Sequence, residues 1–415
     1  FAHRPLFPMP AVLSRERPQV RQCWSSETTT NGKERDRMDN NNVGLLENND
    51  VIDRVFEHID NGTTDLGTAQ WREPVEHYTS QSRYEQEIAL LRQRPVVFCP
   101  SAAIPDAGNF ISRTAAGTPL LVVRDTDLKV RAFINACRHR GMKVASGQGC
   151  TRTFSCPYHG WTYNLDGSVR GIPGEAAFPD LDKETAGLKE LFAVERGGLV
   201  YVQQEGTPKL GTLNTALNFF KPSQPLFHQS DTVDEANWKL LTETLLEGYH
   251  IKSLHRDSFY PIGLDKVNVV ESFGQNSRVV YPFKRIEKLR SLPRDEREIE
   301  GFATLVYHLF PNVSVSVLSK HTSVTVIEPL SPSRTQMFSY YIKHRAKNGT
   351  EISHEEALRD VDFVNQSGQE EDRAAARDIQ ETVTTSANSH LTFGYYEKAI
   401  VTFHQQLQCE LGGPK

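Results

Sequence analysis

The chain has 415 residues, 38% of them apolar and 24% charged, with 47 Lys and Arg against 52 Asp and Glu for a formal net charge of −5. That length accommodates two domains with cores of their own, and the slight acidic excess argues against nucleic acid or an anionic membrane surface as a partner. No run of about 18 apolar residues exists to cross a bilayer, and the six cysteines (Cys23, Cys99, Cys137, Cys150, Cys156 and Cys409) lack the spacing of a disulfide framework, which favours a reducing compartment.

Residues 1–50 read as a leader and a disordered linker. Arg4, Arg15, Arg17 and Arg21 stand against the single acid Glu16 in the first 26 residues, with Ser25 and Ser26 following and no apolar signal core. This composition suits a transit peptide, and with it a mitochondrial or plastid location; a plain disordered tail in a cytoplasmic protein is the alternative. Residues 51–95 form a helical segment, with Tyr84, Ile88, Leu90 and Leu91 on one buried face before Pro95. From Val96 to about residue 205 the pattern is all-β. Pro119–Arg124 and Val130–Ile134 flank a turn at Asp125–Asp127, and Trp161–Asn164 and Ser168–Ile172 pair across Asp166-Gly167.

Inside that β module lie Cys137-x-His139 and Cys156-x-x-His159, with sixteen residues between the pairs. Each loop offers one sulfur and one nitrogen, so the ligands can sort by type onto two irons, as a Rieske [2Fe–2S] centre requires. Structural zinc is the competing reading of two Cys and two His, although zinc fingers keep Cys with Cys and His with His. The flanking words, Cys137-Arg-His-Arg-Gly141 and Cys156-Pro-Tyr-His-Gly160-Trp161 followed by Asp166-Gly167 and Pro173, resemble the Rieske domain of the Rieske non-haem iron oxygenases.

Residues 206–415 follow as a second unit. Its opening stretch, Asn237–His255, has Trp238, Leu241 and Leu245 at helical spacing, interleaved with Glu243, Glu247, His250 and His255. Two His five apart do not share a face of a straight helix, so the chain must turn near Gly248 and again near Lys252 to bring them together. Strands then follow at Leu305–Phe310, Val313–Leu318, Ser323–Ile327 and Met337–Ile342, and helix from Ser353 to Leu407, broken near residues 385–394. The order predicts an α+β fold, in which an antiparallel sheet is gripped by a long C-terminal helix.

The resemblance covers roughly residues 70–410 and implies a second iron held by two His and one carboxylate. The family's acid-x-x-His-x4-His pattern falls on Glu247, His250 and His255, with Glu where Asp is commoner; Glu occurs in relatives acting on quaternary ammonium compounds. The third ligand is implied at Asp372, in Gln369-Glu-Glu-Asp372 with Gln380 eight residues on; Glu370 and Glu371 are the alternatives. It implies Fe(II) at His250, His255 and Asp372, with coordination positions left for O2, and a cluster at Cys137, His139, Cys156 and His159. The resemblance further implies electrons from NAD(P)H through a separate reductase or ferredoxin, in keeping with the lack of a G-x-G-x-x-G motif. A homotrimer is implied, in which Glu247 joins His250 to His159 of the neighbouring subunit. The remaining His, His404 among them, take packing or surface roles, and packing is also the reading for Tyr249. A small-molecule substrate would meet aromatics drawn from Phe259, Tyr260, Phe283, Tyr307 and Phe310. Choline-monooxygenase-like hydroxylation is the leading expectation, against aromatic-ring hydroxylation, O- or N-demethylation, or a non-catalytic Rieske electron carrier.

Overall fold

The computed structural model describes residues 44–220, 224–344, 352–385 and 387–412. The expected leader falls almost entirely outside the described residues. The last part of the expected linker does not: Asn48–Asp50 form the first turn of the helix Asn48–Asn61, and Leu45 just before it is buried. Leu46 explains the anchorage. Its N–H donates to Glu271 and its carbonyl accepts from Arg278, so this short stretch is stitched to the far half of the chain.

The first β unit is a seven-stranded antiparallel sheet. Its spatial order is Val96–Pro100, Leu199–Gln203, Glu190–Arg196, Val130–Ile134, Thr118–Arg124, Asn109–Ala115 and Gly147–Cys150. Alternation of apolar residues builds the strand pairs, as in Thr118–Arg124 against Val130–Ile134, where Leu121 faces Phe133 and Val122 faces Ala132. A three-stranded sheet (Phe154–Ser155, Thr162–Tyr163, Val169–Gly171) carries the second cysteine loop. It has a core of its own, in which Leu121, Phe133, Trp161 and Tyr163 surround Cys137 and Cys156.

The second sheet is also seven-stranded and antiparallel, in the order Leu226–Asp234, Arg334–Lys343, His321–Ser331, Val313–Val317, Ala303–Leu309, Asn276–Pro282 and Val269–Phe273. The four later strands lie where periodicity puts them, with ends shifted by a few residues. The other three, Leu226–Asp234, Val269–Phe273 and Asn276–Pro282, were not read from the sequence. The C-terminal helix Lys398–Glu410 packs Ile400, Phe403 and Leu407 into one apolar cluster with Val270 and Val279 of the sheet.

The predicted N-terminal helical segment is not a unit apart. Trp71–Pro74 pairs with His390–Phe393, and Tyr78 and Leu90 join Trp238 and Phe403 in that same cluster. Nor are the two sheets separated by a polar gap, since one apolar cluster runs from Val97 and Leu199 to Val269 and Val324. The rationale is area: a shared core buries apolar surface that two separate domains would leave wet.

The helical stretch Asn237–His255 turns at Gly248, as the spacing of the two His requires, but the helix ends earlier than expected. Helix covers Trp238–Glu243 and resumes only at Ile251–Leu254. Between them Glu247 accepts from the backbone N–H groups of Tyr249 and His250, which offers the chain a local turn in place of the helical ladder. Tyr281 fixes that turn by donating from Oη to the carbonyls of Leu245 (2.9 Å) and Glu247 (3.1 Å). Gly248 is required there, because a Cβ would stand 2.5 Å from Oδ1 of Asn268. Lys252, expected at a turn, lies within the second helix.

Candidate metal centres

Both cysteines of the first site sit at the start of one-turn loops closed by their own backbone. Gly141 N donates to Cys137 O (2.8 Å) and Cys137 N to Met142 O (2.8 Å); Gly160 N donates to Cys156 O (2.9 Å) and Cys156 N to Trp161 O (2.8 Å). The two loops therefore repeat one geometry and face each other. The thiols are buried, whereas His139 is half-buried and His159 exposed. The imidazole rings lie 4.6 Å apart centroid to centroid, with His139 stacked on Trp161 at 5.2 Å and 7°. Tyr163 donates to Cys137 Sγ (3.2 Å) while accepting from Arg138 N (2.9 Å). Burial, with Cys137 beside it, holds this phenol well above its usual range, so it is a protonated donor.

Whether this set fits one metal or two can be read from its spread. Among the described residues, His250, His255 and Asp372 are the group of three or more His, Cys, Asp or Glu whose ligand atoms all lie within 4.8 Å of one another. No three of Cys137, His139, Cys156 and His159 converge so tightly, as a tetrahedral zinc would demand. A wider two-iron cluster fits, with buried sulfurs on one side and outward nitrogens on the other. His139 Nδ1 is moreover a buried polar atom with no hydrogen-bond partner, which is costly unless something binds it.

The second site is built by three separated pieces of chain. His250 and His255 present Nε2 atoms 3.1 Å apart. Oδ1 of Asp372 lies 3.4 Å from the first and 3.1 Å from the second. That oxygen is buried and lacks a hydrogen-bond partner. Each imidazole is held from behind by a carboxylate: His250 Nδ1 by Glu247, and His255 Nδ1 by Glu371 at 2.6 Å. Burial opposes protonation of His250, but Asp372 and Glu247 together raise it to about 10. His255 is raised against its burial by Asp372, and Asp372 is lowered against its burial by the two imidazoles. Convergence of two Nε2 atoms and a carboxylate, backed by second carboxylates, fits a divalent metal.

Asp372 is positioned by its helix. A π turn at Asn365–Gln369 leads into the helix Glu370–Thr382, and such turns recur at functional sites. Gly368 is needed in it, since a Cβ would fall 2.1 Å from the ring of Phe259. Arg373 and Arg377 each donate at 2.8 Å to the two oxygens of buried Asp234, tying this helix to the sheet. Gln380 accepts from Asn237 N (2.8 Å), so it fastens the helix Trp238–Glu243 rather than facing the site. Of the alternative carboxylates, Glu370 pairs with Arg377 at 2.9 Å and Glu371 supports His255 and accepts from Ser258 at 2.7 Å.

Sequence reasoning missed Glu371 in this supporting role and gave His404 to packing. His404 is in fact a buried ion-pair partner, with Nε2 2.9 Å from Glu243 and Nδ1 3.5 Å from Glu73. Burial opposes its charge, but the two carboxylates raise it to about 9. Its neighbours at each acid were the available signal, but nothing local links residues 73, 243 and 404. Tyr249 is largely exposed and stacks on Tyr396 at 5.3 Å.

A cavity of about 260 Å³ opens onto His250, His255 and Asp372. Phe259 and Phe283 line it, joined by Tyr281 and Phe363. Tyr260, Tyr307 and Phe310 do not, and the last two are buried in the core.

Two family models match the chain: the Rieske [2Fe-2S] domain over residues 94–189 and the ring hydroxylating alpha subunit (catalytic domain) over residues 226–412. The chloroplastic choline monooxygenase of Spinacia oleracea is 27% identical over 81% of this chain and 77% of its own length. The glycine betaine monooxygenase oxygenase subunit of Chromohalobacter salexigens is 26% identical over 72% and 76%. Among solved structures, a quaternary ammonium Rieske monooxygenase in complex with L-carnitine superposes with a TM-score of 0.68 at 20% identity, over 81% of this chain and 95% of that one. Naphthalene 1,2-dioxygenase from Rhodococcus sp. gives 0.69 at 18% identity, over 89% and 100%. At these identities the two superpositions speak for the fold.

Proposed function

We infer, from the premise that this chain belongs to the Rieske non-haem iron oxygenases, that it is the oxygenase component of an electron-fed system acting on quaternary ammonium compounds. One observation carries the reading: an aromatic-lined cavity ends on His250, His255 and Asp372, in a chain whose sequence relatives include choline and glycine betaine monooxygenases. Aromatic faces attract a cation that has no N–H to donate.

Cys137 and Cys156 would hold the inner iron of a [2Fe–2S] cluster, His139 and His159 the outer one, and His250, His255 and Asp372 would hold Fe(II). When bound, the cluster supplies single electrons and the ferrous ion supplies oxygen activation. The chain's own residues set the conditions. Glu247 and Glu371 take the Nδ1–H of His250 and His255, which fixes the tautomer that leaves each Nε2 lone pair toward the centre. Phe259 and Phe363 keep that end of the cavity apolar.

Glu247 also serves as a bridge between subunits of a homotrimer. Oε1 accepts from His250 and keeps a second lone pair. His159 is exposed on its loop, and the Glu247 side chain, 11% exposed, sits beside exposed Tyr249, which supports a contact with a neighbour's His159. A separate NAD(P)H-dependent reductase or ferredoxin completes the system. A plastid location, supported by the chloroplastic naming of the Spinacia relative, or a mitochondrial one rests on a leader outside the described residues.

The test is a substrate panel with a surrogate reductase and NAD(P)H, scored by oxygen uptake matched to product. Turnover of choline, glycine betaine or L-carnitine is the expected result; turnover of aromatic hydrocarbons alone would overturn it. Three irons per chain separate the enzyme from an electron carrier, which needs two.

A further inference from the structure

The cavity wall carries two charged side chains besides the metal-site groups, and they are of opposite sign. Asp360 and Arg285 both line it. They form no ion pair with each other, and Arg285 has no carboxylate within ion-pair distance among the described residues. Two unlike charges lining one cavity without pairing complement a dipolar ligand better than a simple cation.

Each charge is held in place. Asp360 accepts from Nδ1 of His321 at 2.8 Å through Oδ2, and His321 is fully buried, so the carboxylate is oriented and, among the described residues, Oδ1 remains for a ligand. Phe363, one turn along the same helix, meets Phe259 edge to face at 5.9 Å, and Phe259 in turn meets the ring of His255 at 5.2 Å. A carboxylate and two aromatic rings thus run along one side toward the metal ligands. Arg285 lies 4.6 Å over the ring of Phe283. Its Nε donates to Gly301 O (2.6 Å) and Nη2 to Ser319 Oγ (3.1 Å). These bonds aim the guanidinium and, among the described residues, leave Nη1 without a protein acceptor. Arg285 is exposed, which places this cation at the mouth.

We propose that the cavity is specific for a zwitterion: the trialkylammonium head rests against Asp360, Phe259 and Phe363, and a carboxylate tail is taken by Arg285 with Ser319. The inference rests on the quaternary ammonium reading and deepens it. A trialkylammonium group forms no directional hydrogen bonds, so charge and aromatic faces accept any such head alike. The tail makes the directional, charge-assisted bonds, and these decide among ligands that share a head. Arg285 is then a specificity-determining residue, and choline, which ends in a hydroxyl, forgoes its contribution.

Equilibrium binding by calorimetry on the iron-loaded protein, without oxygen, tests this with choline, glycine betaine and L-carnitine as probes. Either zwitterion or both should bind about tenfold more tightly than choline, the equivalent of one charge-assisted hydrogen bond. Arg285→Gln should lower the affinity for the zwitterions to about that for choline, so that the preference disappears. Asp360→Asn should weaken all three probes together. Equal binding of the three probes to the wild type, or choline tightest, would overturn the zwitterion assignment and leave the ammonium reading standing; this comparison needs no variant. Loss of all three probes in equal measure in Arg285→Gln would likewise overturn it. Binding of none to the wild type would overturn both.

Discussion

His159 stands at the surface on a turn closed by its own backbone, whereas His255 is buried and is held through a glutamate 116 residues away. The cluster loops take their shape from hydrogen bonds spanning four or five residues, Cys137 to Gly141 and Met142, Cys156 to Gly160 and Trp161. The triad takes its shape from Asp234 gripping the helix of Asp372, from Tyr281 holding the turn at Glu247, and from Glu371 behind His255. One centre is locally encoded and outward-facing; the other is assembled by tertiary contacts and faces a cavity. Under the proposed function, an exposed ligand suits exchange of electrons with a partner, while a shielded site suits oxygen chemistry.

The largest effects should separate the two regions completely. His250→Ala, His255→Ala or Asp372→Ala should remove mononuclear iron and product formation while the cluster's visible absorbance persists. Cys137→Ser or Cys156→Ser should bleach the protein. Metal analysis and absorbance read both sides, and a triad variant that bleached would show that the regions are not independent.

The tertiary frame of the buried site predicts a pH dependence. His404→Gln leaves Glu73 and Glu243 buried without their cation, at a cost of about 3 kcal/mol near neutral pH. Because the folded value of His404 is raised to about 9 from about 6.5 unfolded, its contribution is complete below about 6.5 and is lost as pH rises through 9. Denaturant melts at pH 6 and pH 10 should therefore show a wide gap between wild type and variant that narrows at the higher pH. A gap independent of pH would contradict the ion-pair reading.

Glu371→Gln keeps the size of the side chain but weakens the acceptor behind His255. Iron affinity should fall about 10- to 100-fold, by titration of the metal-free protein, with no change in the cluster. Tyr163→Phe is the mildest case. Removing its hydrogen bond to Cys137 should lower the cluster potential by about 40 mV, the one-electron equivalent of about 1 kcal/mol. Redox titration reads the shift; an unchanged potential would mean that the 3.2 Å contact carries no charge stabilisation.

The same contrast explains what the sequence disclosed. Cys137, His139, Cys156 and His159 are legible because short loops need fixed spacings and glycines, and the hairpins around them follow period-two alternation. Glu247, His250, His255 and Asp372 could be picked out by resemblance to a family pattern, and the structure brings the last three together. Three strands of the second sheet went unread: Leu226–Asp234 is mostly half-exposed and polar, and Val269–Phe273 and Asn276–Pro282 are a short pair without a clean alternation. In Asn237–His255 the turn at Gly248 was legible, but the end of the first helix at Glu243 was not, because Glu247 turning back on its own backbone and Tyr281 reaching in from a distant strand leave no periodic trace. Glu371 and Asp360 look like ordinary acids of solvated helices until the fold sets His255 and His321 beside them.

The bridging role of Glu247 joins the two regions, and single turnover tests it most directly. The cluster is reduced beforehand, and its reoxidation is followed after mixing with oxygen and a quaternary ammonium substrate. Glu247→Gln should load both metal centres yet reoxidise about 100-fold more slowly than the wild type. Reoxidation at the wild-type rate in a fully loaded Glu247→Gln protein would contradict the account.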